Sequence, residues 1–98
     1  MSAYLLHIDP PSGYRNPEAM ARYAAQVRGI VEAFGGVYRA RHQAVKVIEG
    51  TWNPEFCTLI EFESMSRLQE FYQSEEYRPW LELRNNSGTG VIVVFEGG

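Results

Sequence analysis

The run Val91-Ile92-Val93-Val94-Phe95 sets five apolar residues in succession between Gly88 and Gly90 on one side and Gly97 and Gly98 on the other. A strand with one face in water alternates apolar and polar side chains. An unbroken short run bounded by turn residues is the pattern of a strand covered on both faces. The helical segments elsewhere in the chain are enough to cover one face of a small sheet. The other face needs a second layer, and its simplest source is another copy of the same chain. The run therefore predicts a homodimer and a domain able to form a pocket.

The remaining elements follow from spacing and punctuation. Ala3 to Asp9 alternate, with Tyr4, Leu6 and Ile8 on one face and Leu5, His7 and Asp9 on the other, and read as a strand ended by Pro10-Pro11-Ser12-Gly13. Asn16-Pro17-Glu18 supplies an N-cap, a proline at the first helical position and a first-turn acid. Met20, Tyr23, Ala24, Val27, Val31 and Phe34 then form one apolar stripe, closed by Gly35-Gly36. Val37 to His42 reads as a second strand, with Val37, Arg39 and Arg41 on one face; those charges suit a sheet edge. Ala44 to Gly50 extends it or forms a short arm, and Thr51-Trp52-Asn53-Pro54 is a turn. Phe56 to Phe62 is a third strand. Ser64 caps a second helix carrying Met65, Leu68, Phe71 and Tyr72, and Ser74-Glu75-Glu76 marks a second capping event before a short helix around Pro79. Arg84-Asn85-Asn86-Ser87-Gly88 reads as a polar loop leading to the last strand.

The resulting order is β-α-β-β-α-β over a single domain, residues 1–98. Right-handed crossovers interleave two such halves into an antiparallel sheet of order 4-1-3-2 with the helices on one face, the ferredoxin-like α+β arrangement. The second strand then lies at an edge, in keeping with its charges. A net charge of −3 leaves no basic footprint for nucleic acid or an anionic membrane, and no apolar run approaches the roughly 20 residues of a membrane span. The N-terminus lacks the basic n-region of a signal peptide, and Cys57 is the one cysteine, so a cytoplasmic setting is expected.

Taken in order, Asn16-Pro17-Glu18 with Tyr23, Gly35-Gly36, Arg41, Glu49-Gly50, Ile60-Glu61-Phe62, Tyr72-x-Ser74-x-x-Tyr77 and Arg84 resemble the family called domain of unknown function 1330, over nearly the whole chain. The resemblance implies a dimeric α+β barrel, in which two ferredoxin-like sheets face each other with helices outside. Relatives in that wider group include cofactor-free monooxygenases, small-ring isomerases and haem-handling enzymes, so the fold alone does not select a reaction. The stretch Pro10 to Tyr14 departs from the short acidic turn usual in the family; where that loop covers a pocket, ligand choice changes with it.

Chemistry must come from few residues. His7 and His42 sit in no metal-ligand spacing, and no phosphate-binding glycine loop follows a strand, so neither a metal nor a cofactor is expected. Cys57 lies in an apolar strand, where a thiol is ordinary packing. His7, in the middle of an otherwise apolar strand, is either a neutral imidazole satisfied by a backbone carbonyl or a proton acceptor on a pocket floor; it is the candidate catalytic residue. Arg41 and Arg84 both fall on the family pattern. Each could hold a carboxylate or enolate through its guanidinium fork, or stand as a surface or helix-end charge. Glu49 and Glu61 could pair for acid–base work but are more simply turn or interface charges. Among the aromatics, Tyr23, Tyr72, Tyr77, Trp52 and Trp80 are candidates for a ligand-facing wall, with Tyr72, Tyr77 and Trp52 foremost, against the plain alternative that they are core. Two classes of function fit. One is a cofactor-independent enzyme, transferring a proton or adding oxygen to a small carbonyl-bearing or aromatic molecule. The other is a non-catalytic module that binds a small ligand or a partner. Convergence of a titratable group with an arginine in one cavity favours the enzyme.

Overall fold

The computed structural model describes residues 1–88 and 90–97. Strand β1 (Ala3–Ile8) is followed by helix α1 (Pro17–Ala33), strands β2 (Val37–Ala44) and β3 (Phe56–Phe62), helices α2 (Met65–Tyr72) and α3 (Arg78–Ser87), and strand β4 (Val91–Glu96). The strands form one sheet in the order β2-β3-β1-β4, antiparallel at every step, which is 4-1-3-2 read from the other edge. This is the ferredoxin-like arrangement.

The helix boundaries follow local chemistry. Asn16 Oδ1 accepts the Ala19 amide at 3.1 Å and Pro17 opens α1. Gly35, at φ +83°, then turns the chain where a side chain would be strained. Gly36 is held by packing: a Cβ there would lie 2.5 Å from Val31 Cγ1 and 3.0 Å from the Phe62 ring. Ser64 Oγ caps α2 through the Arg67 amide, and Ser74 Oγ accepts the Tyr77 amide ahead of α3.

Alternation sends Ala3, Leu5 and His7 to one face of β1. There Ala3 and Leu5 pack with Ile60 and Phe62 of β3 against Val27 and Val31 of α1, Leu68 and Phe71 of α2, and Tyr77. This is the core, and all of it lies on the helix side of the sheet.

The structure corrects two sequence readings. The polar stretch after Leu83 is the last part of α3, not a loop. Ser87 Oγ donates to the Leu83 carbonyl and the Arg15 side chain donates to Asn86 O, while Arg84 and Ser87 are buried. Polar residues continue the helix because one side of it is anchored to the chain before α1. Second, Arg39 and Arg41 do not share a face. Register shifts between Tyr38 and Ala40 and again before Gln43 break the alternation of β2, and His42 takes φ +49°. Arg39 reaches Glu61 at 2.8 Å, whereas Arg41 turns to the helix side with Tyr38. The outer face of β4 is uncovered within one chain, as the sequence reading expected of a strand that needs a second layer. Val91, Val93 and Phe95, which face away from the helices, are 49%, 46% and 47% exposed, and on the helix side Val94 is open as well. The cause is position, since β4 is an edge strand beyond the reach of the helical layer.

Candidate functional site

Between α1 and the helix-facing side of the sheet lies a mostly apolar cavity of about 310 Å³. That volume is at the small end of ligand sites. The ladder places His7 in a row with Thr58 of β3 and Ile92 of β4, so its imidazole projects from the centre of the sheet into this space. The apolar walls come from Leu5, Val27, Val31 and Ile60. Gly90, at the mouth of β4, has to be glycine for a steric reason: a Cβ there would meet the Ile8 carbonyl oxygen at 2.2 Å and His7 Nε2 at 3.2 Å.

Burial, assisted by the positive charge of Arg84 and then His42, lowers the His7 pKa from 6.5 to about 4. The ring is therefore neutral near pH 7. Its Nε2 is 2.8 Å from the hydroxyl of Tyr14. Burial raises the phenol's pKa well above the usual tyrosine range, so Tyr14 is a neutral hydroxyl suited to donate to that nitrogen. Tyr14 comes from the loop that leaves β1. The loop is pinned by the Arg15 amide, which donates to Ser87 O at 2.6 Å, and by the fit of Tyr14 against Gly88, where a Cβ would come within 3.1 Å of its ring.

At another part of the wall, Tyr23 of α1 and Tyr77 share a hydroxyl–hydroxyl hydrogen bond, in which either is the donor. Both pKa values are raised, chiefly by burial, so both stay protonated. Arg84 follows Tyr77 by two turns on the same face of α3, and its positive charge lowers the His7 pKa and opposes the rise at Tyr14, Tyr23 and Tyr77. Arg41 stands toward the β2 side. It is exposed, with its guanidinium 5.4 Å from the centre of the Tyr38 ring and one N–H donating to Ala24 O at 3.1 Å. Asp9 and His42 form a further pair at the wall, Oδ2 to Nδ1 3.3 Å, with the His42 ring stacked on Phe56. Burial raises the Asp9 pKa, and His42 opposes that shift.

Of the residues singled out in the sequence, His7, Tyr23, Arg41, His42 and Tyr77 line this cavity. Arg84, 7% exposed, packs alongside rather than forming its wall, and Tyr72 packs against the Tyr77 ring, 5.7 Å between centres. Trp52 is elsewhere. It is 62% exposed and borders a separate shallow groove with Ile8, Pro54 and Val91. Glu61 is engaged by Ser2 Oγ at 2.6 Å and by Arg39, while Glu49 is exposed in the segment between β2 and β3. Sequence reasoning passed over Tyr14, Asp9 and the hydroxyl role of Tyr23. The signal for Tyr14 was its place in the unusual first loop; nothing local marks its distance from His7. Among the described residues no group of three or more His, Cys, Asp or Glu side chains could hold a metal ion, and no helix is long and apolar enough to cross a membrane.

Comparison with solved structures agrees with the fold. A protein of unknown function from Rhodopseudomonas palustris superposes with a TM-score of 0.77 at 16% identity, covering 98% of this chain and 82% of that one. A protein from Jannaschia sp. CCS1, described as dimeric, ferredoxin-like and of unknown function, gives 0.74 at 15% identity, covering 99% and 100%. An antibiotic biosynthesis monooxygenase-like protein from Nitrosomonas europaea is more distant, at 0.54 and 10% identity, covering 98% and 88%. No curated protein matches the chain. At these identities the likeness concerns the fold alone. The model of one family does match, over residues 12–98, and the chain belongs to that family, Domain of unknown function (DUF1330).

Proposed function

We propose that the protein is a homodimeric small-molecule enzyme in which His7 takes a proton from a carbonyl-bearing or aromatic substrate held in the cavity of each protomer. One observation carries it: an imidazole kept neutral by burial, facing an apolar cavity, with a phenol hydroxyl on its Nε2. A neutral imidazole is in the accepting form at physiological pH. Tyr14 fits as a relay. Its oxygen takes the substrate proton as its own proton passes to Nε2, so the phenol ends neutral and the charge pair is imidazolium and enolate. The enolate offsets the burial penalty that holds the free histidine's pKa down. Proton removal is either the whole reaction or the step before dioxygen adds to the carbanion. Arg41, at the exposed side, would meet a substrate's polar tail. The helix-free face of the sheet supports the dimer, because three apolar side chains of β4 stand open on it and the Jannaschia protein is described as dimeric. A cytoplasmic setting fits the unpaired thiol of Cys57.

The hydrogen bond already made to Nε2 favours one alternative, a binding module in which Tyr14 and His7 only orient a ligand. Deuterium exchange separates the two. Small ketones and β-dicarbonyl compounds are incubated with the protein in D2O, and α-proton loss is followed by NMR. The enzyme should accelerate exchange for at least one compound, with His7→Gln lowering the rate by about 100-fold or more. Binding without exchange across the panel would sink the catalytic proposal and leave the binding module.

A further inference from the structure

We infer that the polar end of the cavity is a seat for a single negatively charged oxygen, formed by the Tyr23 and Tyr77 hydroxyls with the Arg84 guanidinium beside them, and that the ligand is a small flat molecule bound there as its enolate or phenolate. This rests on the cavity being a small-molecule site and adds the head group and its charge state.

Counting donors gives the first reason. Two hydroxyls that bond to each other consume one O–H and leave the second free to donate. Both residues line the cavity, so an oxygen placed at the pair finds one ready donor. Charge gives the second. Arg84 is nearly buried, yet the groups beside its guanidinium are neutral, Asn85 Oδ1 at 3.3 Å and the Tyr72 hydroxyl, and its Nη1 has no hydrogen-bond partner among the described residues. Nor does it form a salt bridge among those residues. A buried cation without a counter-charge is costly, and an anion brought into the adjoining space relieves it. The other charged groups at the wall do not supply that anion. Asp9 is turned to His42, His7 is neutral, Tyr14 and Tyr38 are held protonated chiefly by burial, and Arg41 adds a second positive charge. Shape gives the third. One free O–H matches one oxygen better than the two of a carboxylate, and the apolar walls of Leu5, Val27 and Ile60 suit a flat hydrocarbon body.

The test uses 4-nitrophenol, whose anion is yellow, titrated with pH in the presence of saturating protein. The bound phenol should ionise at least one pH unit below the free one, a tenfold shift toward the anion. His7→Gln should keep the shift, because the histidine is not part of the seat. Arg84→Met should remove most of it and Arg84→Lys should retain it. Where the methionine variant does not fold, the Tyr23→Phe/Tyr77→Phe double variant gives the same reading by removing both donors. A bound probe with an unchanged or raised pKa overturns the seat, as does a probe that does not bind, or a shift that survives loss of both hydroxyls and of the guanidinium. The exchange experiment reports separately: exchange without the shift overturns the seat alone, and the shift without exchange overturns the proton transfer alone.

Discussion

His7 is the residue on which the chemistry turns, and its environment has a measurable consequence for stability. Its folded pKa, about 4, lies below the 6.5 of an exposed imidazole. Protonation therefore favours the unfolded chain. The contribution to stability is present in full above about pH 6.5, declines as pH falls and is lost as pH passes the folded value, at most about 3 kcal/mol. Asp9 works in the opposite sense, because its raised pKa makes its carboxylate a liability as pH rises. Urea unfolding at pH 7 and pH 4.5 should isolate the histidine. The parent should lose about 2 kcal/mol more than His7→Gln over that interval; equal losses would mean that the ring is solvated. The sequence shows His7 on the same face as Leu5, and that much was readable from period-two alternation. The partner Tyr14 was not, because the contact depends on how the first loop folds back against Gly88. Arg41 was expected beside Arg39, and only the irregular register of β2 separates them.

At the level of elements, most boundaries were legible because capping chemistry is local. Asn16, Pro17, Gly35 and Ser64 act where their types predict, and all seven elements stand in the expected order. Asn16→Ala should lower stability by about 1 kcal/mol with no change in helix content, measured by denaturant titration followed by circular dichroism; no change would mean that water replaces the cap at no cost. The end of α3 was misread for a reason of scale. Its Arg-Asn-Asn-Ser sequence has weak helical preference, and the bonds that hold it come from Arg15, about seventy positions earlier. Propensity cannot register a partner that distant. The same bonds fix the loop that carries Tyr14, so the least predictable helix end and the least predictable site residue share one cause.

For the whole molecule, the apolar run of β4 remains the most telling feature. Inside one chain it is left open on its outer face, which is the face the proposed dimer would cover. Light scattering at micromolar concentration should give twice the chain mass. Val93→Asp should shift the mass to that of a single chain while leaving the circular dichroism spectrum unchanged, because Val93 is half exposed before any partner arrives. A dimer that tolerates the carboxylate would place the interface elsewhere. The sheet order could be anticipated because handedness and strand count leave few alternatives. A pocket could be expected too, but not the full set of residues that line it, because that depends on how α1 and the first loop lie over the sheet.

The pairing of β1 with β4 has a topological corollary. Ala3 lies opposite Glu96, and the Gly97 amide donates to Ser2 O at 2.9 Å, so residues 2 and 97 are immediate neighbours. The segment between β2 and β3 is by contrast largely exposed, with Ile48 and Glu49 in water. Joining the two adjacent ends through a few glycines and cutting between Glu49 and Gly50 rearranges the connectivity without moving a strand. The permuted chain should fold to the parent's circular dichroism spectrum and keep its urea midpoint within a modest margin; an unfolded product would show that the β2–β3 link, and not the sheet it joins, organises the molecule.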